Sequence, residues 1–324
     1  MKQTSGLALW LAVGASFAAL PAAAQGFAPA KPIRMIIPVP VGSAPDLLSR
    51  IIGQGFQAKW GQPAIVDAKP GASQNIAAEA LSRAEPDGYT LMTAPPPSLA
   101  INEHLFPTLA FDPKALTPVT VLVEVPNVLV TRKGLGVKSV AELIALAKAK
   151  PGGLNYGSTG VGGTPHLTSE AFNFRAGIKI VHVPYKGTVE ILNDIFGERI
   201  DIGFLNLLDV VSHVEAGKLV ALAVTSEQKN SSLPDTPTMS QTIPDFIATT
   251  WFATIAPPKT PEPLANALAQ AIREAFETPE AKRLLANLKG ATPVLNTPAA
   301  ARAYIRADSE RWKDVIVRNG IKAE

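Results

Sequence analysis

The chain has 324 residues, of which 47% are hydrophobic and 18% charged, with 30 Lys and Arg against 27 Asp and Glu for a net charge of +3. That composition belongs to a globular protein long enough for two domains, and the charge is too even for a nucleic-acid surface. No cysteine occurs, which excludes disulfides, thiolate metal sites, cysteine nucleophiles and a lipidated cysteine behind a leader.

Residues 1–24 read as a secretory signal peptide: Lys2, an apolar stretch from Gly6 to Leu20, and Ala22-Ala23-Ala24 before Gln25. The apolar stretch falls short of the roughly 20 residues that a membrane span needs. Cleavage near Ala24 would release the remainder, in a bacterium with two membranes, into the periplasm.

Strands and helices then alternate. KPIRMIIPVP is a buried strand, and a helix runs from about Pro45 to Gly61 with Leu48, Ile51, Ile52 and Phe56 on one stripe. PAIVDAK is a strand, Ser73 is placed to cap a helix through about Arg83, PDG is a turn and YTLMTA a third strand. This order implies a parallel sheet covered by helices. Residues 119–131 form a β-branched run broken by Pro126, and Ser139 and Glu142 make a capping box for the next helix. LNYGS, a helix burying Leu167, Ala171 and Phe174, KIVHVPY, a short helix over 189–196, RIDIGFLN and LVALAVTS follow. Residues 228–247 are a loop rich in Ser, Pro and Thr, ATTWFATIAP is extended, and two closing helices begin Thr260-Pro261 and Thr297-Pro298, with Thr as N-cap. The extended runs 119–131 and 248–256 flank a self-contained α/β block. This suits two lobes joined by two crossing strands, with a leader over 1–24, lobe one over 25–125 plus 248–324 and lobe two over 126–247.

Three loops share one design: PVGSAPD (40–46), KPGASQN (69–75) and GSTGVGGTP (157–165) each carry a strand into a helix through small residues. The first amides of a helix lack intrahelical partners and lie at the positive end of its dipole, so such loops suit a carboxylate or phosphate. GSTGVGGTP has neither the Gly-Lys-Ser/Thr of a P-loop nor G-x-G-x-x-G, which sets nucleotides aside. Asp46 in a first helical turn either complements the dipole or accepts from a ligand hydroxyl, ammonium or water. The four histidines show no metal spacing, GSTG is not a nucleophile elbow, and no nucleophile–base pair stands out. Asp194, Asp201 and Asp209 look like ordinary acids. Trp251 and Phe252 are either core or an apolar wall for a ligand.

PVPVGSAPDLLSR, GQPAIVDAKPGASQNIAAE, PDGYTLM, LNYGSTGVGGTPHLTSEAF and HVPYKG together resemble the receptors of tripartite tricarboxylate transporters, the Bug family, over nearly the whole chain after the leader. The resemblance implies an α/β, two-lobed type II periplasmic-binding-protein fold (a Venus flytrap), each lobe a mainly parallel sheet flanked by helices. It implies a binding protein rather than an enzyme, capturing a small carboxylate, aliphatic or aromatic, for a membrane permease of the tripartite type. It implies no cofactor, metal or nucleic acid, and a monomer. A sensor for a signalling partner is an alternative, and an exported hydrolase or lyase a weaker one. Carried onto this sequence, the ligand-contacting positions are Gly42, Ser43, Ala44 and Asp46; Ala72, Ser73, Gln74 and Asn75; Ser158, Thr159, Gly160, Gly162, Thr164 and His166; and Tyr185. Ser43, Ser73 and Gln74 stand where the family usually has glycine, so its common dicarboxylates and tricarboxylates do not transfer directly.

Overall fold

The computed structural model describes residues 27–322 except 287 and 289, and the predicted leader lies outside them. β1 (Ile33–Ile37) leads into α1 (Ala44–Trp60), which stops where Gly61 adopts a left-handed φ of 70° and returns its N–H to Gln57. β2 (Ala64–Ala68), α2 (Asn75–Ser82) and β3 (Thr90–Ala94) complete a parallel unit in which β1 pairs with both neighbours. The PDGY motif sets up β3: Asp87 accepts from Tyr89 N at 3.0 Å, and the Tyr89 hydroxyl accepts from Ala30 N at 2.9 Å. The proline-rich stretch after β3 winds into a buried π-helical turn over Pro97–Ile101 that continues into α3 (Asn102–Leu105).

β4 (Thr117–Arg132) is one strand of 16 residues that passes through Pro126 without ending, unlike the broken run expected from sequence. A proline lacks only its own N–H, and Pro126 lies opposite Thr249 at the end of one pairing partner, where a ladder bond is not required of it. There the strand changes neighbours, pairing with β9 over 117–126 and with β7 and β8 from 127 onward. α4 (Val140–Ala149) is capped by Ser139, whose hydroxyl accepts from Glu142 N, while the Glu142 carboxylate accepts from Lys138 N at 2.8 Å. β5 (Asn155–Ser158), α5 (Thr164–Ala176), β6 (Val181–Pro184), α6 (Thr188–Phe196) and β7 (Ile202–Asn206) follow, with β5 parallel to β6 and β7. α7 (Leu207–Glu215) and β8 (Leu219–Val224) complete this part. β9 (Thr249–Ala256) returns antiparallel to β3 and β4, and α8 (Glu262–Glu277), α9 (Pro279–Ala286), β10 (Thr292–Pro293) and α10 (Pro298–Asn319) end the described chain. The strand order β2-β1-β3-β9-β4-β7-β5-β6 forms one curled sheet with helices packed on it.

Several local expectations change. Ser73 does not cap α2, because it is itself left-handed and Gln74 occupies the N-cap. Thr260 does not cap α8, since its hydroxyl bonds back to Pro257 O and Pro261 takes the cap position, whereas Thr297 does cap α10 through Ala300 N. Phe174 is exposed, and Phe172 is the aromatic that α5 buries, edge-on to Phe204. α7 and α9 add two helices not read from the sequence.

α10 spans both halves of the sheet. Its first turns place Ala301 and Ile305 among Ile36, Met92 and Trp251, and its last turns place Trp312 and Ile316 among Leu129, Phe172 and Phe204. Between them Asp308, buried, accepts from the indole N–H of Trp251 at 2.7 Å and of Trp312 at 3.0 Å, and pairs with Arg311. Beside it, Thr225 ties the crossing chains together: its hydroxyl bonds the carbonyls of Asn127 and Ala248, and its own N–H reaches Asn127 O at 2.9 Å.

Asp308→Ala leaves two buried indole donors unpaired, each costing about 1–3 kcal/mol, so urea unfolding should show a stability loss of roughly 2–5 kcal/mol. Lys282→Ala, which removes the exposed pair with Glu277, should leave the melting temperature unchanged. An Asp308→Ala protein as stable as wild type would show that the knot does not hold the crossing.

Candidate ligand-binding site

A cavity of about 800 Å³ lies between the two halves of the sheet. One wall is built by the β1–α1 and β2–α2 loops and the 95–106 segment, the other by the β5–α5, β6–α6 and β7–α7 connections, and β9 contributes Thr250 and Phe252. Five helices begin at this cavity. Their N-caps, Ser43 for α1, Gln74 for α2, Gly163 for α5, Gly187 for α6 and Asn206 for α7, all line it, and none makes a side-chain capping bond. α4 and α10 start elsewhere, and both are capped by a hydroxyl. The five starts at the cavity are left uncapped by side chains, as α8 is elsewhere, and their convergence gathers positive dipole ends and under-used amides around one space.

Ser43, Ala44, Ala72, Ser73, Gln74, Thr159, Gly160, Gly162 and Thr164, expected as contacts, all line the cavity. The other expected positions support it from behind. Gly42 donates its N–H to Asp46 at 2.8 Å, and Asp46, buried beneath the loop, also pairs with Arg50 at 2.9 Å. Asn75 accepts from Asn102, which also donates to Ser73 O at 2.8 Å, so Asn102 holds the β2–α2 loop in place. Ser158 is buried under its loop against His182, 2.6 Å away. His166 accepts from Gly162 N at 3.3 Å. Tyr185 turns away to donate to Asp194 at 2.7 Å. Of the two candidate aromatics, Trp251 is core and Phe252 is the wall.

Three consecutive residues of the β2–α2 loop are left-handed without being glycine: Ala72 (φ 46°), Ser73 (φ 51°) and Gln74 (φ 77°). The conformation costs a non-glycine residue of order 1 kcal/mol, and here it aims small or amide-bearing side chains at the cavity. Ser43, by contrast, is extended at φ −83°, so its side chain carries no such cost.

Behind the β5–α5 loop, the His166 and His182 rings pack at a tilt with centroids 4.3 Å apart and His182 stacks on Tyr156 at 5.0 Å, with the Tyr156 hydroxyl donating to Glu170 at 2.5 Å. Burial, aided by the neighbouring His182, pulls the His166 pKa down to about 3, and burial also lowers that of His182. Both rings are neutral at working pH and act as hydrogen-bond partners for the loop. Sequence reasoning did not reach Asn102, Lys186, Thr188, Asn206, Asp209 or Thr250 as site residues. Lys186 stood inside the HVPYKG motif, but Asn206 and Asp209 lie at the start of α7, where Asn206, a residue type suited to an N-cap, reads in sequence as the end of the RIDIGFLN strand.

The geometry is that of a receptor cleft, and the comparisons agree. The model of the tripartite tricarboxylate transporter family receptor matches residues 48–321. The chain belongs to this receptor family. Within the family, protein BugT of Bordetella pertussis is 34% identical over 297 residues, 91% of each chain. R. palustris Rpa4515, solved with adipate, has a TM-score of 0.82 at 32% identity, covering 91% of this chain and 99% of that one. MatC from Rhodopseudomonas palustris, solved with bound malate, has a TM-score of 0.78 at 26% identity, covering 89% and 99%. The two-lobed fold of such receptors is thus the fold of this chain. It is a binding protein rather than an enzyme, which removes the hydrolase or lyase alternative. Among the described residues no helix is long and apolar enough to cross a membrane.

Two outcomes follow for this receptor. Ser73→Gly with Gln74→Gly removes left-handed strain at both positions and should raise stability by roughly 1 kcal/mol in urea unfolding, the relief being partly offset by the freer unfolded chain; a less stable double variant would refute the strain. For His166, the folded pKa of about 3 lies below the ordinary 6.5, so between those values the unfolded chain binds more protons and stability falls as pH drops from about 6.5 toward 3. His166→Gln, which keeps an acceptor for Gly162 N, should flatten that decline, and an unaltered slope would remove His166 from it.

Proposed function

We propose that the protein captures a small organic carboxylate, aliphatic or aromatic, in this cleft and passes it to a membrane permease of the tripartite tricarboxylate type. In this reading it is exported, cleaved near Ala24 and works in the periplasm as a monomer. Residues 25–125 and 248–324 then form one lobe and 126–247 the other, with Pro126 and Ala248 at the hinge.

The observation that carries the reading is the set of five uncapped helix starts around one cavity. Small residues at Ala44, Ala72, Gly160 and Gly162 leave room for an anion beside the backbone. A hydrogen bond to a charged group contributes about 1.5–3 kcal/mol, so a few of them, after the cost of association, suffice for micromolar affinity, about 8 kcal/mol. The two neighbours solved with adipate and malate support a carboxylate as the solute class.

Isothermal titration of the purified mature chain with linear, branched and aromatic carboxylates tests the reading, which expects at least one micromolar ligand. Thr159→Asp puts a negative charge on an exposed position of the β5–α5 loop and should weaken that ligand by about a hundredfold or more, with the fold intact by circular dichroism. Silence from the whole panel, or a Thr159→Asp protein that binds as well as wild type, would defeat it.

A further inference from the structure

Among the described residues that line the cavity, only Lys186 and Asp209 carry a charge. Asp209 lies in the first turn of α7, half-buried in the wall, where Thr188 Oγ1 donates to its carboxylate at 3.3 Å and the Asn206 side chain donates to it as well. Burial pushes its pKa up to about 6 against those two hydrogen bonds, so at neutral pH the ionised form still dominates. Among the described residues no basic side chain forms an ion pair with it, Lys186 included. A carboxylate in the wall of a cleft that otherwise attracts anions is therefore a charge without a counter-ion.

Two further atoms point the same way. Asn206 Oδ1 and Gln74 Oε1 are buried acceptors with no donor among the described residues. An asparagine at a helix start ordinarily turns its oxygen onto the first amides, yet that of Asn206 makes no capping bond. Gln74 holds its position in a left-handed conformation that glycine would adopt without strain. Each wall thus holds, on a residue that lines the cavity, one buried acceptor that the described protein leaves unpaired, and the α7 wall adds a negative charge. A second carboxylate on the ligand would meet repulsion and three acceptors. A hydroxyl would satisfy an acceptor but leave Asp209 unpaired. An ammonium answers both needs, because it supplies three N–H donors and one positive charge.

Building on the carboxylate reading above, we propose that the solute carries an ammonium group as well as its carboxylate, and that Asp209 is the residue that selects for it. The uncapped helix starts hold the anionic end, and Asp209 receives the ammonium, with Asn206 and Gln74 as neighbouring acceptors.

The test compares matched acids by isothermal titration on wild type and on Asp209→Asn, which keeps the side chain's size. The panel sets β-alanine, γ-aminobutyrate and δ-aminovalerate, together with aspartate and glutamate, against propionate, butyrate and valerate and against succinate, glutarate and adipate. The expected result is that an amino acid binds at least about tenfold tighter than its partner without nitrogen, and that Asp209→Asn weakens it by about tenfold or more while dicarboxylates bind as well as before or better. Preference for the terminal or the α-amino series tells how far the ammonium lies from the carboxylate. Dicarboxylates outranking amino acids on wild type, or an amino-acid affinity indifferent to Asp209→Asn, overturns this inference and leaves the carboxylate reading standing. If no acid of any kind binds, both fall. Should Asp209→Asn fail to fold, the wild-type ranking decides alone.

Discussion

The unsatisfied amides at helix starts govern this molecule. A helix gains little from leaving its first turn without a side-chain cap, and this chain supplies Ser139 and Thr297 as caps for α4 and α10, which begin away from the cavity. At the five starts around the cavity the capping bond is missing, although Ser43 and Asn206 are residue types suited to make it. That arrangement explains much of the lining: small residues so that backbone stays approachable, left-handed turns at 72–74 so that the loop folds toward the space, and neutral histidines packed behind the β5–α5 loop. Binding capacity here comes from the ends of secondary structure, with side chains restricted to adjusting which anion fits.

The cavity exists because two α/β halves share one strand. β4 pairs with β9 on one side of Pro126 and with β7 and β8 on the other, so the walls belong to different parts of the sheet while the backbone between them is continuous. Thr225, Asn127 and Ala248 bind the crossing chains to one another, and α10 lies over both halves with Asp308 under its middle. A relative movement of the walls must be taken up in those few hydrogen bonds, because the cores on either side of them are closely packed.

Much of this was legible in the sequence. The strands read as apolar runs bounded by proline and glycine, the βαβ alternation gave the parallel sheets, and the three small-residue loops named half of the lining. What was missed has physical reasons. In α7, Leu207 follows a strand whose only polar residue is its last, Asn206, with no glycine or proline between them, so strand and helix run together in the pattern, and with them Asn206 and Asp209 were lost as site residues. The turn at Pro97–Ile101, on which the sequence pattern gave no reading, is helical with its apolar side chains buried. Ser73 looked like a cap by residue type, but its left-handed backbone cannot serve as one. Pro126 looked like a break, yet it stands where the strand exchanges partners and a missing N–H matters least. Local composition thus located the loops, while the identity of the groups that face the solute depended on contacts between residues distant in sequence.

Two of the four tryptophans in the sequence, Trp251 on β9 and Trp312 on α10, share the Asp308 carboxylate as hydrogen-bond acceptor, and Arg311 stacks its guanidinium over the second ring at 5.0 Å. An indole's emission responds to the charges around it, so these rings sense the spacing of β9, α10 and the buried acid between them. The junction of β9 and α10 therefore carries an intrinsic optical gauge of its own geometry, readable without any attached dye.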